Sequence, residues 1–193
     1  MIDPASGAPG LAAIPSIDDI RDCLDRVNEV LVGLGREDGV WTSRIKAELV
    51  ELGRRHEFYV CTSGVGRANH GEWLYDVCWL HYASWPDRLI DAMPLALECE
   101  WRVDRDHAHI VEDFQKLCFA GAWIKWMVFQ STDDQAFERI AGRLARQAMW
   151  VRGETQGRYF VSCWIARRSR FVHAELDAAT GQWRMSHDAR PAP

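Results

Sequence analysis

The chain lacks the usual marks of export, metal-ribbon chemistry and membrane insertion. Its six cysteines, Cys23, Cys61, Cys78, Cys99, Cys118 and Cys163, stand singly among apolar neighbours with no CxxC pair. That spacing excludes a zinc ribbon or thioredoxin-like motif and leads us to expect buried free thiols. No apolar run approaches the length needed to span a membrane. The opening MIDPASGAPGLAAIPS has neither the basic residues nor the continuous apolar stretch of a secretory signal. Residues 1–15 therefore read as a flexible leader, and the expected location is cytoplasmic, away from membranes. Positive charge is also short: Lys and Arg number 23 against 28 Asp and Glu, a formal net charge of -5. A nucleic-acid partner would need a local basic patch. The densest one, Arg167-Arg168-Ser169-Arg170, reads as a solvated turn between strands. There is no GxSxG elbow, and Gly64-Val-Gly66 has neither the remaining glycine nor the helix context of a dinucleotide site. Internal repeats are absent too.

What is present suits one α/β domain over residues 16–193: the whole chain has 193 residues, of which 48% are hydrophobic and 26% charged. Ser16-Ile17-Asp18-Asp19 looks like a helix start, followed by Ile20, Leu24, Val27, Val30 and Leu31 at helical spacing, with Gly33 and Gly35 as the stop. A second helix is expected over Trp41 to Arg55. Strands are expected over Glu57 to Ser63 and Glu72 to Tyr82, joined as a hairpin, and over Pro94 to Trp101. Asp106 to Ala120 reads as a helix, and Ala122 to Gln130 as a central strand buried on both faces. Thr132 to Trp150 reads as a further helix. Arg158 to Arg167 and Phe171 to Met185 finish the chain as strands, the latter broken by a turn at Ala-Ala-Thr-Gly-Gln. The ten tryptophans, among them Trp73, Trp79, Trp85, Trp101, Trp123 and Trp126, are expected in the core.

Several charged residues interrupt these apolar elements. In PLALECEW, Glu98 and Glu100 are two apart, so an extended chain puts both carboxylates on one face, where they repel and where burial penalises their charge. Asp76 interrupts WLYDVCW in the same way. If the second and third strands are neighbours, one carboxylate from each converges on a point suited to a hard divalent ion, Mg²⁺ or Mn²⁺. The plainer reading of the two glutamates is an edge strand with its polar face in water. Asp113 and Lys116 share a helix face, and Lys116 could reach back across the sheet to stabilise charge on a phosphate and orient the attacking water. Lys46 and Lys125 are substitutes for that lysine. Glu48 on the second helix is a further acid, with Glu51 as its rival. His107 and His109 diverge on a helix and are expected in solvent.

This arrangement resembles the PD-(D/E)XK, or restriction-endonuclease-like, nuclease superfamily over roughly residues 43–130. The resemblance rests on the αβββαβ order, Glu48, the Asp76 strand, Glu98-Cys99-Glu100 and Lys116. It implies a Mg²⁺-dependent phosphodiesterase with Asp76 and Glu98 as metal ligands and Glu48 as an orienting acid or auxiliary ligand. Glu100 stands where the family usually has its lysine, and in some members that lysine has moved to the following helix, where Lys116 lies. Glu100 would then assist the metal or pair with Lys116. The implied substrate is nucleic acid, with loops, a homodimer or another protein supplying specificity. A catalytically inactive scaffold of the same fold, binding a protein partner through its acidic surface, is the alternative.

Overall fold

Ser16 opens the first helix, α1 (Ile17–Leu31), through a reciprocal capping box: its hydroxyl accepts the Asp19 N–H while the Asp19 carboxylate accepts the Ser16 N–H. The computed structural model describes residues 15–32, 38–84, 87–102, 106–151 and 157–186. The leader up to residue 14, the Gly33 and Gly35 stop and Trp85 lie outside them. α2 (Asp38–Arg55) follows, then β1 (Tyr59–Cys61), β2 (Val77–Ser84), β3 (Leu89–Glu100), α3 (Ala108–Cys118), β4 (Ala122–Ser131), α4 (Asp134–Trp150), β5 (Arg158–Ile165), β6 (Arg170–Asp177) and β7 (Gln182–Met185).

The strands form one open, mixed sheet of seven in sequence order, β1-β2-β3-β4-β5-β6-β7. The β3–β4 and β4–β5 pairs are parallel, and every other pair is antiparallel. A parallel neighbour requires a crossover, and α3 and α4 supply the two. Successive right-handed crossovers advancing in the same direction place both helices on the same face. Ile110, Phe114 and Leu117 of α3 and Ile140 and Leu144 of α4 share a core there with Met127, Phe129 and Val161. The opposite face is covered by α1 and α2, whose Leu24, Ile45 and Leu49 pack with Trp79, Leu97, Trp126 and Phe160. Burying each such side chain contributes about 1.5–3 kcal/mol before entropy is counted. α2 lies so close to the sheet that a Cβ on Gly53 would come within 2.6 Å of Trp79 Nε1. The expected mixed α/β sheet flanked by helices is therefore what forms.

Several boundaries differ from expectation. β2 begins at Val77 rather than Glu72, so Asp76 stands just before the strand instead of inside it. Hydrophobicity alone missed this, because Trp73 and Leu74 are apolar yet 45% and 60% exposed. β3 begins at Leu89, five residues before Pro94. Pro94 falls where the β2 register slips, between Trp79↔Leu95 and His81↔Ala92, so the ladder bulges around a residue that has no N–H to donate. α3 is shorter than predicted at both ends. Trp79, Trp101 and Trp126 are buried, whereas Trp73 and Trp123 are 45% and 42% exposed and correct the expectation that the tryptophans are core. No disulfide forms; the six thiols are free, and only Cys99 is more than marginally accessible.

Candidate carboxylate and lysine site

Strand alternation along the end of β3 sends Leu97, Cys99 and Trp101 toward α2, and Ala96, Glu98 and Glu100 toward α3. Glu98 and Glu100 are both buried. The antiparallel register ends at Val77↔Leu97, which places Asp76 beside Glu98 and the Cys99 N–H. Asp76 Oδ2 accepts that N–H at 2.9 Å, and the Asp76 carbonyl accepts the Thr62 hydroxyl at 2.6 Å. These bonds fix the residue as the chain turns into β2.

Two lysines arrive from opposite layers. Lys46 of α2, almost wholly buried, sets Nζ 2.8 Å from Asp76 Oδ1 and 3.4 Å from Glu72 Oε2. Burial opposes its charge, but the bond to Asp76 and the nearby carboxylates outweigh this and raise its pKa. Lys116 of α3 sets Nζ 2.6 Å from Asp113 Oδ1 and 3.4 Å from Glu98 Oε1. Burial works against its charge too, yet the Asp113 bond and Glu98 hold its pKa above the ordinary lysine value. Lys116 is thus a fixed cation at neutral pH and not a base.

Glu72, Asp76, Glu98 and Asp113 therefore share two ammonium groups, and the carboxylates outnumber them. Glu98 carries the consequence: burial, then the charge of Asp76, push its pKa up to about 8 despite the opposing pull of Lys116. Burial also raises Asp113, more than Lys116 lowers it. Tyr75, buried beside Glu98, is raised by burial and by that carboxylate. Glu100, on the same face, has its own cation. Burial opposes its ionisation, but bonds from the Arg102 N–H at 2.7 Å and the Arg102 guanidinium hold its pKa below the ordinary value.

The other predicted residues lie elsewhere. Glu48 pairs with Arg44 at 3.0 Å and Arg26 at 3.7 Å on the α1 side, and Glu51 pairs with Arg67 at 3.1 Å. Helix phase could not separate them from Lys46, which is the α2 residue that reaches Asp76. Lys125 is fully buried against Tyr159 and the Cys118 carbonyl, and burial lowers its pKa to about 8. His109 is near Glu112 in the first turn of α3. Arg167 and Arg168 form the expected β5–β6 turn and pair with Asp133 and Asp134.

Among the described residues no group of three or more His, Cys, Asp or Glu side chains is arranged to hold a metal ion. Magnesium does not require one, because it is commonly held by one or two carboxylates with waters and substrate phosphate completing its shell. Asp76 and Glu98 supply hard oxygen donors of that class, and a divalent cation between them would favour the ionised form of Glu98 that burial and the charge of Asp76 oppose. The donor set fits Mg²⁺ or Mn²⁺.

One constellation escaped the sequence reading because its members are far apart in the chain. Ser162 Oγ is 2.7 Å from His173 Nδ1, and His173 Nε2 is 3.2 Å from Asp25 Oδ1, the order of a nucleophile, base and orienting acid. Ser162 is, however, wholly buried, and its oxygen accepts the Trp126 indole N–H at 2.8 Å. One proton arrangement satisfies the chain: Trp126 N–H to Ser162, Ser162 O–H to Nδ1, and Nε2–H to Asp25. No substrate can reach that oxygen, so the set works as a tie between α1 and the sheet. A concavity of about 640 Å³ between α4 and β6–β7 places Arg168 beside its partner Asp134 and is separate from the carboxylates. Comparison with family models, curated proteins and solved structures returned no match.

Proposed function

We propose that the protein is a Mg²⁺- or Mn²⁺-dependent nuclease of the restriction-endonuclease-like kind, hydrolysing nucleic-acid phosphodiesters. The observation that carries the reading is the convergence of Asp76 and Glu98 at the end of the β2–β3 pair, with Lys116 of the next helix on Glu98. The order α2, β1, β2, β3, α3, β4 agrees with it. Asp76 and Glu98 would hold the cation, which when bound would neutralise the site and polarise the scissile phosphate. Lys116, kept protonated by Asp113 and Glu98, donates hydrogen bonds to a phosphate oxygen or to the attacking water and stabilises developing negative charge. Glu100, kept ionised by Arg102, orients from the margin. Glu48 lies outside this set and stabilises α2 against α1.

The second reading, an inactive scaffold that binds a protein partner, is favoured by one feature: lysines already occupy both carboxylates. A cleavage assay separates the two. With Mg²⁺ or Mn²⁺, wild-type protein should cut single-stranded or duplex DNA or RNA, and Lys116→Ala should lower the rate by about 100-fold or more. Folded wild-type protein that cuts none of these substrates would leave the scaffold reading.

A further inference from the structure

Among the described residues, α3 and α4 make their main sheet contacts with β3, β4, β5 and β7, and part of β1 and β2 lies beyond them. There a concavity of about 180 Å³ is lined by Tyr59, Cys61, His70, Trp73, Tyr82 and Arg88, with Leu80 and Ile90. That is too small for a drug-sized ligand, whose sites run about 300–1,000 Å³, and it suits one planar ring system. Its walls are set in place. Tyr59 donates its hydroxyl to the Asn69 carbonyl at 3.2 Å and meets Tyr82 edge to face, ring centres 5.2 Å apart. Trp73 remains 45% exposed on the loop that leads to Asp76.

The polar groups at the rim are positive or can accept. Arg88 is exposed at a left-handed backbone position, φ 53°, and no carboxylate pairs with it among the described residues. His70 Nδ1 donates to the Gly71 carbonyl at 3.0 Å, which leaves Nε2 as an acceptor. Aromatic faces with an adjacent arginine are the chemistry that holds an unstacked base and its phosphate.

The concavity is also on the face that carries Glu98. Cys78 and Leu80 alternate with Val77 and Trp79, which are buried toward α2, and Tyr82 packs on the same core, so they line the Glu98 side of β2. Leu80 and Tyr82 are roughly 13 and 20 Å along the strand from Asp76, at about 3.3 Å per residue. A single strand with a phosphodiester at the carboxylates would pass over them.

We infer that this concavity is a subsite for one unpaired nucleobase, with its phosphate on Arg88, and that the substrate is therefore single-stranded nucleic acid. The inference rests on the nuclease reading for its substrate class, but binding tests it without cleavage. Fluorescence anisotropy of labelled oligo-dT, oligo-U and a DNA duplex, all in EDTA, reads affinity alone. The expected result is tighter binding of a single strand than of the duplex. Trp73→Ala and Arg88→Ala should each weaken it roughly tenfold, with unchanged melting temperatures. Trp150→Ala, which removes a tryptophan 89% exposed on α4, should leave it unchanged. The dT and U arms tell DNA from RNA. Wild-type protein that binds neither single strand, or prefers the duplex, overturns the subsite, as does wild-type affinity in both Trp73→Ala and Arg88→Ala. Single-strand binding lost in those variants by a protein that never cuts would sustain the subsite and reject the nuclease.

Discussion

Two polar clusters on opposite faces of one sheet are built on opposite principles. In the Trp126, Ser162, His173 and Asp25 chain each donor has an acceptor, and its one carboxylate, Asp25, is 44% exposed to solvent. In the Asp76, Glu98 and Asp113 cluster the carboxylates outnumber the ammonium groups, and Glu98 is driven toward its protonated form. Buried polar groups that are fully paired serve structure, while a buried carboxyl held far from its ordinary pKa marks a candidate functional site. The contrast separates a structural tie from a candidate site without reference to any relative.

The largest stability effect should come from breaking the satisfied chain. Ser162→Ala leaves the Trp126 N–H and a His173 nitrogen without partners in the core. It should cost about 2–4 kcal/mol in urea unfolding, at roughly 1–3 kcal/mol per orphaned group. Removing charge from the other cluster should do the reverse. A carboxyl whose folded pKa lies near 8 and whose ordinary value is 4.5 binds its proton more tightly when folded. Without divalent cation, stability is fully present below the ordinary value and falls as pH rises through about 8. Glu98→Gln should flatten that fall and be more stable than wild type at alkaline pH, by about 1–2 kcal/mol in order of magnitude. A wild-type stability that rises over the same interval would refute the excess-charge account. The smallest effect belongs to the margin: Arg102→Ala, which frees Glu100 but removes a side chain 66% exposed, should cost about 1 kcal/mol or less.

Much of this contrast could be read from residue order. Period-two alternation put Glu98 and Glu100 on one side of β3, and helical spacing with the Ser16 cap located α1. The helix between PLALECEW and AWIKWMVFQ was legible from its apolar spacing. What could not be read was which helical residue meets the strand end. Lys46, Glu48 and Glu51 are within two turns of one another, and only packing shows that Lys46 faces Asp76. Trp73 and Leu74 read as strand because hydrophobicity does not report whether an apolar residue is covered, and both are exposed. The Ser162 chain spans α1 to β6, a separation at which local pattern carries no information.

The central claim is that Asp76 and Glu98 together form a divalent-cation site. A crystal structure at saturating Mn²⁺ tests it most directly, through anomalous scattering. The account predicts one anomalous peak in contact with both carboxylates, with Lys46 and Lys116 drawn off the oxygens they now hold, and no peak in Glu98→Gln. Well-ordered carboxylates still paired to their lysines, with no Mn²⁺ between them, would contradict it.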